Sequence, residues 1–237
     1  MKNVKSKIRA LLIKSKLYYL VEPFSEFMLR VVYLSKFLKW HDAHLYQNSL
    51  KETTIFHDRY QLYHFLLKTQ HLEQEIDYLE FGVYKGDSLR WWLEHNLYPS
   101  SKFVGFDTFT GLPEDWGKLK QSTFSTEGRT PKINDSRVSF AIGLFQDTLG
   151  PFLNEFSSTR RKVIHLDADL YSSTLFVLTS LGPKLKGGDI IIFDEFAASR
   201  GLTHEFRSLC EFAAAYRCNY RLLCATRFYK QVAIQIV

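Results

Sequence analysis

The stretch KVIHLDADLY (residues 162–171), followed after a helix-like linker by GGDIIIFDEF (residues 187–196), decides the fold. Each half is an apolar run that ends in carboxylates: Asp167 and Asp169 after the first, Asp194 and Glu195 after the second. Apolar runs rich in β-branched residues, bounded by glycine and charge, read as parallel strands buried on both faces. If the two are sheet neighbours, all four acids sit at the carboxyl edge, where open α/β sheets bind their ligands. Four acids this close repel unless something positive joins them. A divalent cation with oxygen ligands (magnesium, calcium or manganese) meets that need.

Outward from this stretch, strands and helices alternate. The pattern predicts strands at 77–83, 102–106, 138–142, 163–166 and 189–193, with helices at 86–96, 146–155, 173–185 and 203–216. It closes with strands at 221–225 and 232–237, whose short connection makes them an antiparallel hairpin. The expected fold is α/β: a doubly wound, mostly parallel seven-stranded sheet with a C-terminal antiparallel hairpin and an N-terminal helical extension. A further helix is expected within 53–75. Its His57, His64 and His71 recur every seven residues, a spacing too wide for one ion, so they read as surface or partly buried histidines. The polar segment 111–137, with Pro113, Gly117, Gly128 and Pro131, is long enough for a functional loop, and a substrate-covering lid is expected there. It carries Trp116, Phe124, Lys118, Lys120, Arg129 and Lys132, cations that suit an acidic or phosphate-bearing acceptor.

Residues 1–50 read as a separate basic, amphipathic helical extension, a cap, dimerisation element or lid, ahead of a ligand-binding domain at 51–237. Val4, Ile8, Leu11 and Leu12 share one helical face, and a second apolar pattern follows Pro23 through Phe24, Phe27, Met28, Val31, Val32, Leu34 and Leu38. The formal charge of +6 resides in this tail: Lys2, Lys5, Lys7, Arg9, Lys14 and Lys16 precede any acid, and the remaining 25 bases balance 25 acids. That distribution excludes a nucleic-acid binder, whose bases spread over a face. It suits a weak contact of residues 1–20 with a membrane surface or with an acidic partner; the apolar helical pattern suits packing on the domain or on a second subunit, so a homo-oligomer is expected. No run approaches the roughly 18 apolar residues of a spanning helix. Cys210, Cys218 and Cys224 lack C-x-x-C spacing and read as free thiols, so a soluble, cytoplasmic protein is expected. An aromatic content of 16% predicts a core rich in rings.

The turn after the first strand of the domain reads EFGVYKGDS, residues 80–88. Its glycines let the backbone approach a ligand, and the helix that follows offers free N–H groups. The spacing is not G-x-G-x-x-G, so a dinucleotide pyrophosphate site is not supported. Asp107, at the end of the second strand, is placed to accept the hydroxyls of a ribose. A nucleoside cofactor without a pyrophosphate satisfies both features, and S-adenosylmethionine is the candidate.

LEFGVYKGDS, FDTFTGLPEDW, GLFQDTL, LDADLYSST and GGDIIIFDEF, in that order, resemble the macrocin O-methyltransferase (TylF-like) family over about residues 53–237. The resemblance implies a class I, Rossmann-like S-adenosylmethionine-dependent enzyme that methylates hydroxyls, typically on sugars of natural products. It implies that Glu80, Gly82, Val83 and Gly86, with Phe81 and Ser88 in the same turn, border the methionine part of the cofactor. Asp107 would hold the ribose beside Thr108 and Phe109, and Gly143, Phe145 and Gln146 would lie near the adenine. Asp167, Asp194 and Glu195 would bind magnesium, Asp167 also bordering the cofactor, and Asp169 would be the catalytic base. The chain departs from the family at Ala168, where glycine is usual, and at Glu195, where aspartate is usual.

The chemistry is coherent. An ion touching a sugar hydroxyl lowers its pKa, a carboxylate takes the proton, and neighbouring hydroxyls on the acceptor would chelate the ion together. Two other readings stand beside it. D-x-D after an apolar strand also marks metal-dependent glycosyltransferases that use nucleotide sugars, and an inactive methyltransferase fold would serve as an interaction module. His165, inside the fourth strand, reads as a satisfied core or near-site histidine.

Overall fold

The computed structural model describes residues 2–16, 18–48, 54–115, 119–197 and 201–237; Trp116 and Lys118 of the expected lid lie outside them. Helices α1 (Lys2–Ser15), α2 (Tyr18–Val21) and α3 (Ser25–Asn48) precede the sheet. There follow β1 (Ile55–Phe56), α4 (Arg59–Thr69), β2 (Ile76–Phe81), α5 (Asp87–His95), β3 (Lys102–Asp107), β4 (Val138–Ile142), α6 (Phe145–Glu155), β5 (Arg161–Leu166) and α7 (Tyr171–Leu181). The chain ends with β6 (Ile190–Phe193), α8 (Glu205–Tyr216), β7 (Tyr220–Thr226) and β8 (Val232–Ile236).

The strands form one sheet in the order β1-β7-β8-β6-β5-β2-β3-β4. All pairings are parallel except those of β8 with β6 and β7, which make the expected hairpin. Among the described residues the sheet has eight strands rather than seven. The extra one, β1, is two residues at the edge, too short to leave a periodic signal in sequence. The helix expected over 173–185 ends at Leu181, and Gly182–Lys184 closes it as a turn of 3₁₀-helix, where Pro183 contributes no N–H.

Side-chain alternation divides the sheet into two faces. Leu79, Phe81, Val104, Phe106, Ile164, Leu166, Ile191 and Phe193 pack under α6, α7 and α8. Tyr78, Phe103, Val163, Ile190 and Ile192 pack under α4 and α5, against Tyr63, Trp91 and Trp92. The rings thus belong chiefly to the core, as expected. The α3 helix joins the first face. Tyr33 and Trp40 are buried there; Tyr33 donates to Glu211 at 2.8 Å and Trp40 Nε1 to the Tyr220 hydroxyl at 3.0 Å. Cys210, Cys218 and Cys224 are free. Among the described residues no helix is long and apolar enough to cross a membrane.

Candidate active site

Strand order reverses between β2 and β5, so the crevice at their carboxyl ends is the switch point where doubly wound sheets bind ligands. Four amides tie the edge together: Gly82 N–H donates to Phe106, Gly143 to Asp107, Asp167 to Phe81 and Asp194 to Leu166. Gly82 has φ +91°, and a Cβ there would sit 1.9 Å from the Asp167 carbonyl oxygen. Only glycine lets the ends of β2 and β5 approach this closely.

A cavity of about 540 Å³ opens on this edge. Of the residues expected to hold cofactor or metal, Gly82, Asp107, Thr108, Gly143, Phe145, Gln146, Asp167, Asp194 and Glu195 line it, together with Asp169. Glu80, Phe81, Val83, Gly86, Ser88 and Phe109 do not. Glu80, Phe81, Val83, Ser88 and Phe109 are buried behind its wall, and Gly86 caps α5 in the left-handed conformation. The segment after β3 contributes Gly111, Leu112, Pro113, Glu114 and Phe124, so part of the expected lid does border the cavity. Two of its cations are already paired, Lys120 with Asp115 at 2.7 Å and Arg129 with Glu127 at 2.6 Å.

The Asp107 carboxylate is held by main-chain amides of two loops. Oδ2 accepts the N–H groups of Val83 and Tyr84 at 2.8 Å each, and Oδ1 accepts that of Phe109 at 2.7 Å. A carboxylate has about four lone-pair sites, so roughly one remains for a ligand hydroxyl.

The pairing of β5 with β6, Leu166 beside Phe193, brings Asp167 and Asp194 level at the edge, as the two apolar runs imply. The cation that joins them belongs to the chain. Arg59, the first residue of α4, reaches Asp194 Oδ2 at 2.8 Å and Asp167 Oδ2 at 3.9 Å. Asp58 caps the helix, accepting from Tyr60 and Gln61, and so fixes where α4 begins. Asp194 is 2% exposed, and its other oxygen lies 3.4 Å from Gln231 Nε2 and 3.8 Å from His165 Nε2. Burial would raise Asp194, but His165 and Arg59 together hold it below the usual carboxylate range. Glu195 pairs with Lys230 at 3.1 Å.

The magnesium cradle expected from Asp167, Asp194 and Glu195 is therefore not assembled. Among the described residues no three His, Cys, Asp or Glu side chains converge in a metal-binding arrangement. The physical reason is that Arg59 and Lys230 neutralise Asp194 and Glu195 from the protein side.

Among the described residues Asp169 has no such counter-ion in contact. It adopts φ +57°, a conformation aspartate tolerates, at the turn between β5 and α7. Burial, then the charges of Glu195 and Asp194, push its pKa up to about 7. A carboxylate titrating near neutrality is suited to general-base work. Burial and the charges of Asp194 and Asp169 also raise Asp167.

Beneath the cavity floor lies a polar network inside the core. Tyr78 donates to Glu80 at 2.8 Å and meets His165 Nδ1 at 2.8 Å, while His165 Nε2 lies 3.3 Å from the Tyr63 hydroxyl. His165 is fully buried and satisfied; strand alternation sends it to the α4 face, away from the cavity. Burial pushes Glu80 up to about 8. Sequence reasoning missed Arg59, Lys230, Gln231 and the buried Glu205, whose carboxylate accepts from Glu195 N–H at 2.9 Å. Arg59 did leave a signal: a cation in the first turn opposes the helix dipole and needs a nearby acid to justify it.

A family model described as macrocin-O-methyltransferase (TylF) matches residues 49–216. The chain belongs to the macrocin O-methyltransferase family. Within a matched segment of 75 residues it is 40% identical to the 8-demethyl-8-(2,3-dimethoxy-α-L-rhamnosyl)-tetracenomycin-C 4'-O-methyltransferase of Streptomyces olivaceus, covering 31% of this chain and 27% of that protein. It is 35% identical over 91 residues to the mycinamicin III 3''-O-methyltransferase of Micromonospora griseorubida, 37% of this chain and 32% of that one. The matched segments thus span about a third or less of these relatives. The fold is that of class I O-methyltransferases. Calicheamicin methyltransferase CalS11 superposes with a TM-score of 0.59 at 24% identity, over 75% of this chain and 80% of its own. A Bacillus cereus O-methyltransferase in complex with S-adenosylhomocysteine gives 0.51 at 18% identity, over 87% and 90%.

Proposed function

We propose that this chain is an S-adenosylmethionine-dependent O-methyltransferase acting on a hydroxyl of a sugar or glycosylated small molecule. The observation that carries the reading is one cavity at the switch point lined by both Asp107 and Asp169, in a member of an O-methyltransferase family; Asp107 is assigned to the cofactor and Asp169 to the acceptor. Its volume suits a nucleoside cofactor with an acceptor alongside. Gly82 and Gly143 offer bare backbone to the cofactor, Asp107 offers one acceptor site to a ribose hydroxyl, and Phe145 and Gln146 lie where the adenine is expected. When bound, S-adenosylmethionine supplies an electrophilic methyl carbon whose bond to sulfur breaks with the electron pair staying on sulfur. Asp169 accepts the proton of the acceptor hydroxyl as the oxygen is methylated. The walls hold the hydroxyl in line, which converts an encounter into a positioned reaction.

The expected divalent ion does not fit the carboxylates as they are paired here, Asp194 with Arg59 and Glu195 with Lys230. Arg59 and Glu195 line the cavity, so an acceptor with neighbouring hydroxyls meets a donor and an acceptor beside Asp169. The sugar hydroxyl is suggested by the two relatives, one named for a rhamnosyl-bearing compound. The family match favours methyl transfer over nucleotide-sugar glycosyl transfer and over an inactive fold.

Calorimetry tests this directly. S-adenosylhomocysteine is expected to bind with one-to-one stoichiometry and a UDP-sugar is not; binding of the UDP-sugar alone would favour the glycosyltransferase, and binding of neither an inactive fold.

A further inference from the structure

The α3 helix is apolar on two opposite faces, and only one of them is covered. Tyr33, Phe37 and Trp40 pack on the catalytic body, Trp40 against Phe196 and Phe206. Half a turn away, Phe27, Val31, Leu34 and Leu38 line up at three- and four-residue spacing and stand in solvent, Phe27 at 67% exposure, with Phe24 exposed in the turn just before the helix. A helix apolar all round belongs in an apolar environment on both sides.

The α1 helix repeats the pattern. Ile8, Leu11 and Leu12 share one face and are exposed, and every residue from 5 to 16 is solvent-accessible. Helical spacing places Lys5 and Arg9 along one border of this stripe and Lys7 and Lys14 towards the other. An apolar stripe flanked by bases is the pattern of a helix lying in the plane of a bilayer interface.

Charge selects the occupant. Residues 1–40 hold nine bases and two acids. A symmetric contact between two copies would bring this excess against itself, since a two-fold interface pairs the same patch with itself. A surface that is anionic outside and apolar beneath accepts both features at once.

We propose that the exposed apolar faces of α1 and α3 dock the protein on an anionic membrane surface, without crossing it. The bases meet lipid headgroups, while Leu11 and Phe27 enter the boundary between headgroups and acyl chains. This docking does not depend on the reaction proposed above.

The test is co-sedimentation of the full chain with vesicles of phosphatidylcholine alone, or with a third of the lipid replaced by phosphatidylglycerol. Binding is expected only with phosphatidylglycerol, and each of Lys5→Glu and Lys14→Glu should weaken it about fivefold or more. Leu11→Gln and Phe27→Gln, at exposed positions, should weaken it also while leaving the circular dichroism spectrum unchanged. Equal binding to both vesicles, or none, would overturn the proposal. So would a stable dimer that ignores vesicles and is dissociated by Phe27→Gln, which would assign the face to a second copy.

Discussion

Asp169 and Glu80 are acids that folding makes weaker, Asp169 titrating near 7 and Glu80 near 8 because both are withdrawn from water. Their folded pKa values lie above the unfolded ones, so the stability they contribute is full below pH 4 and is lost as pH rises through 7 to 8. The melting temperature should therefore fall between pH 5 and pH 9, and Asp169→Asn should flatten part of that slope. Turnover should move the opposite way, rising through a midpoint near 7 as the Asp169 base form accumulates. A methyl group on Gly82, 1.9 Å from the Asp167 carbonyl, forces β2 and β5 apart. Gly82→Ala should lower unfolding free energy in urea by about 2 kcal/mol or more, and weaken S-adenosylhomocysteine binding with it. The acids were legible residue by residue because each closes an apolar run. Their counter-ions were not: Arg59 lies 108 positions before Asp167 and 135 before Asp194, and only the folded chain brings them together.

At the scale of elements, α4 does more than cover the sheet. Its capped first turn delivers Arg59 to the two acids at the ends of β5 and β6. Arg59→Ala leaves Asp194 buried without its cation, which should cost about 3 kcal/mol in a urea melt. The same variant should bind magnesium more tightly than the parent, because the carboxylates then lack a resident charge; isothermal calorimetry distinguishes the two. Strand and helix positions were readable because parallel buried strands leave dense apolar runs, as at Ile190–Phe193. The two-residue β1 was not, since its place comes from pairing with β7. Neither was the full use of α3, whose sequence is apolar round most of its circumference.

Across the whole molecule, one sheet carries the site at its carboxyl edge and α3 on one face. Trp40 joins the two parts, in contact with Phe196 two residues after Asp194 and one after Glu195. Trp40→Ala should cost about 3 kcal/mol or more in unfolding free energy, as for other buried aromatic truncations. The loss should appear in a single cooperative transition, because Trp40 belongs to the same apolar cluster as the sheet. Whether Asp169 is the base of a methyl transfer is decided by Asp169→Asn with methyl-labelled S-adenosylmethionine and a panel of glycosides. Label transfer by the parent, its loss in the variant and unchanged S-adenosylhomocysteine affinity is the result expected; transfer persisting in Asp169→Asn would contradict it.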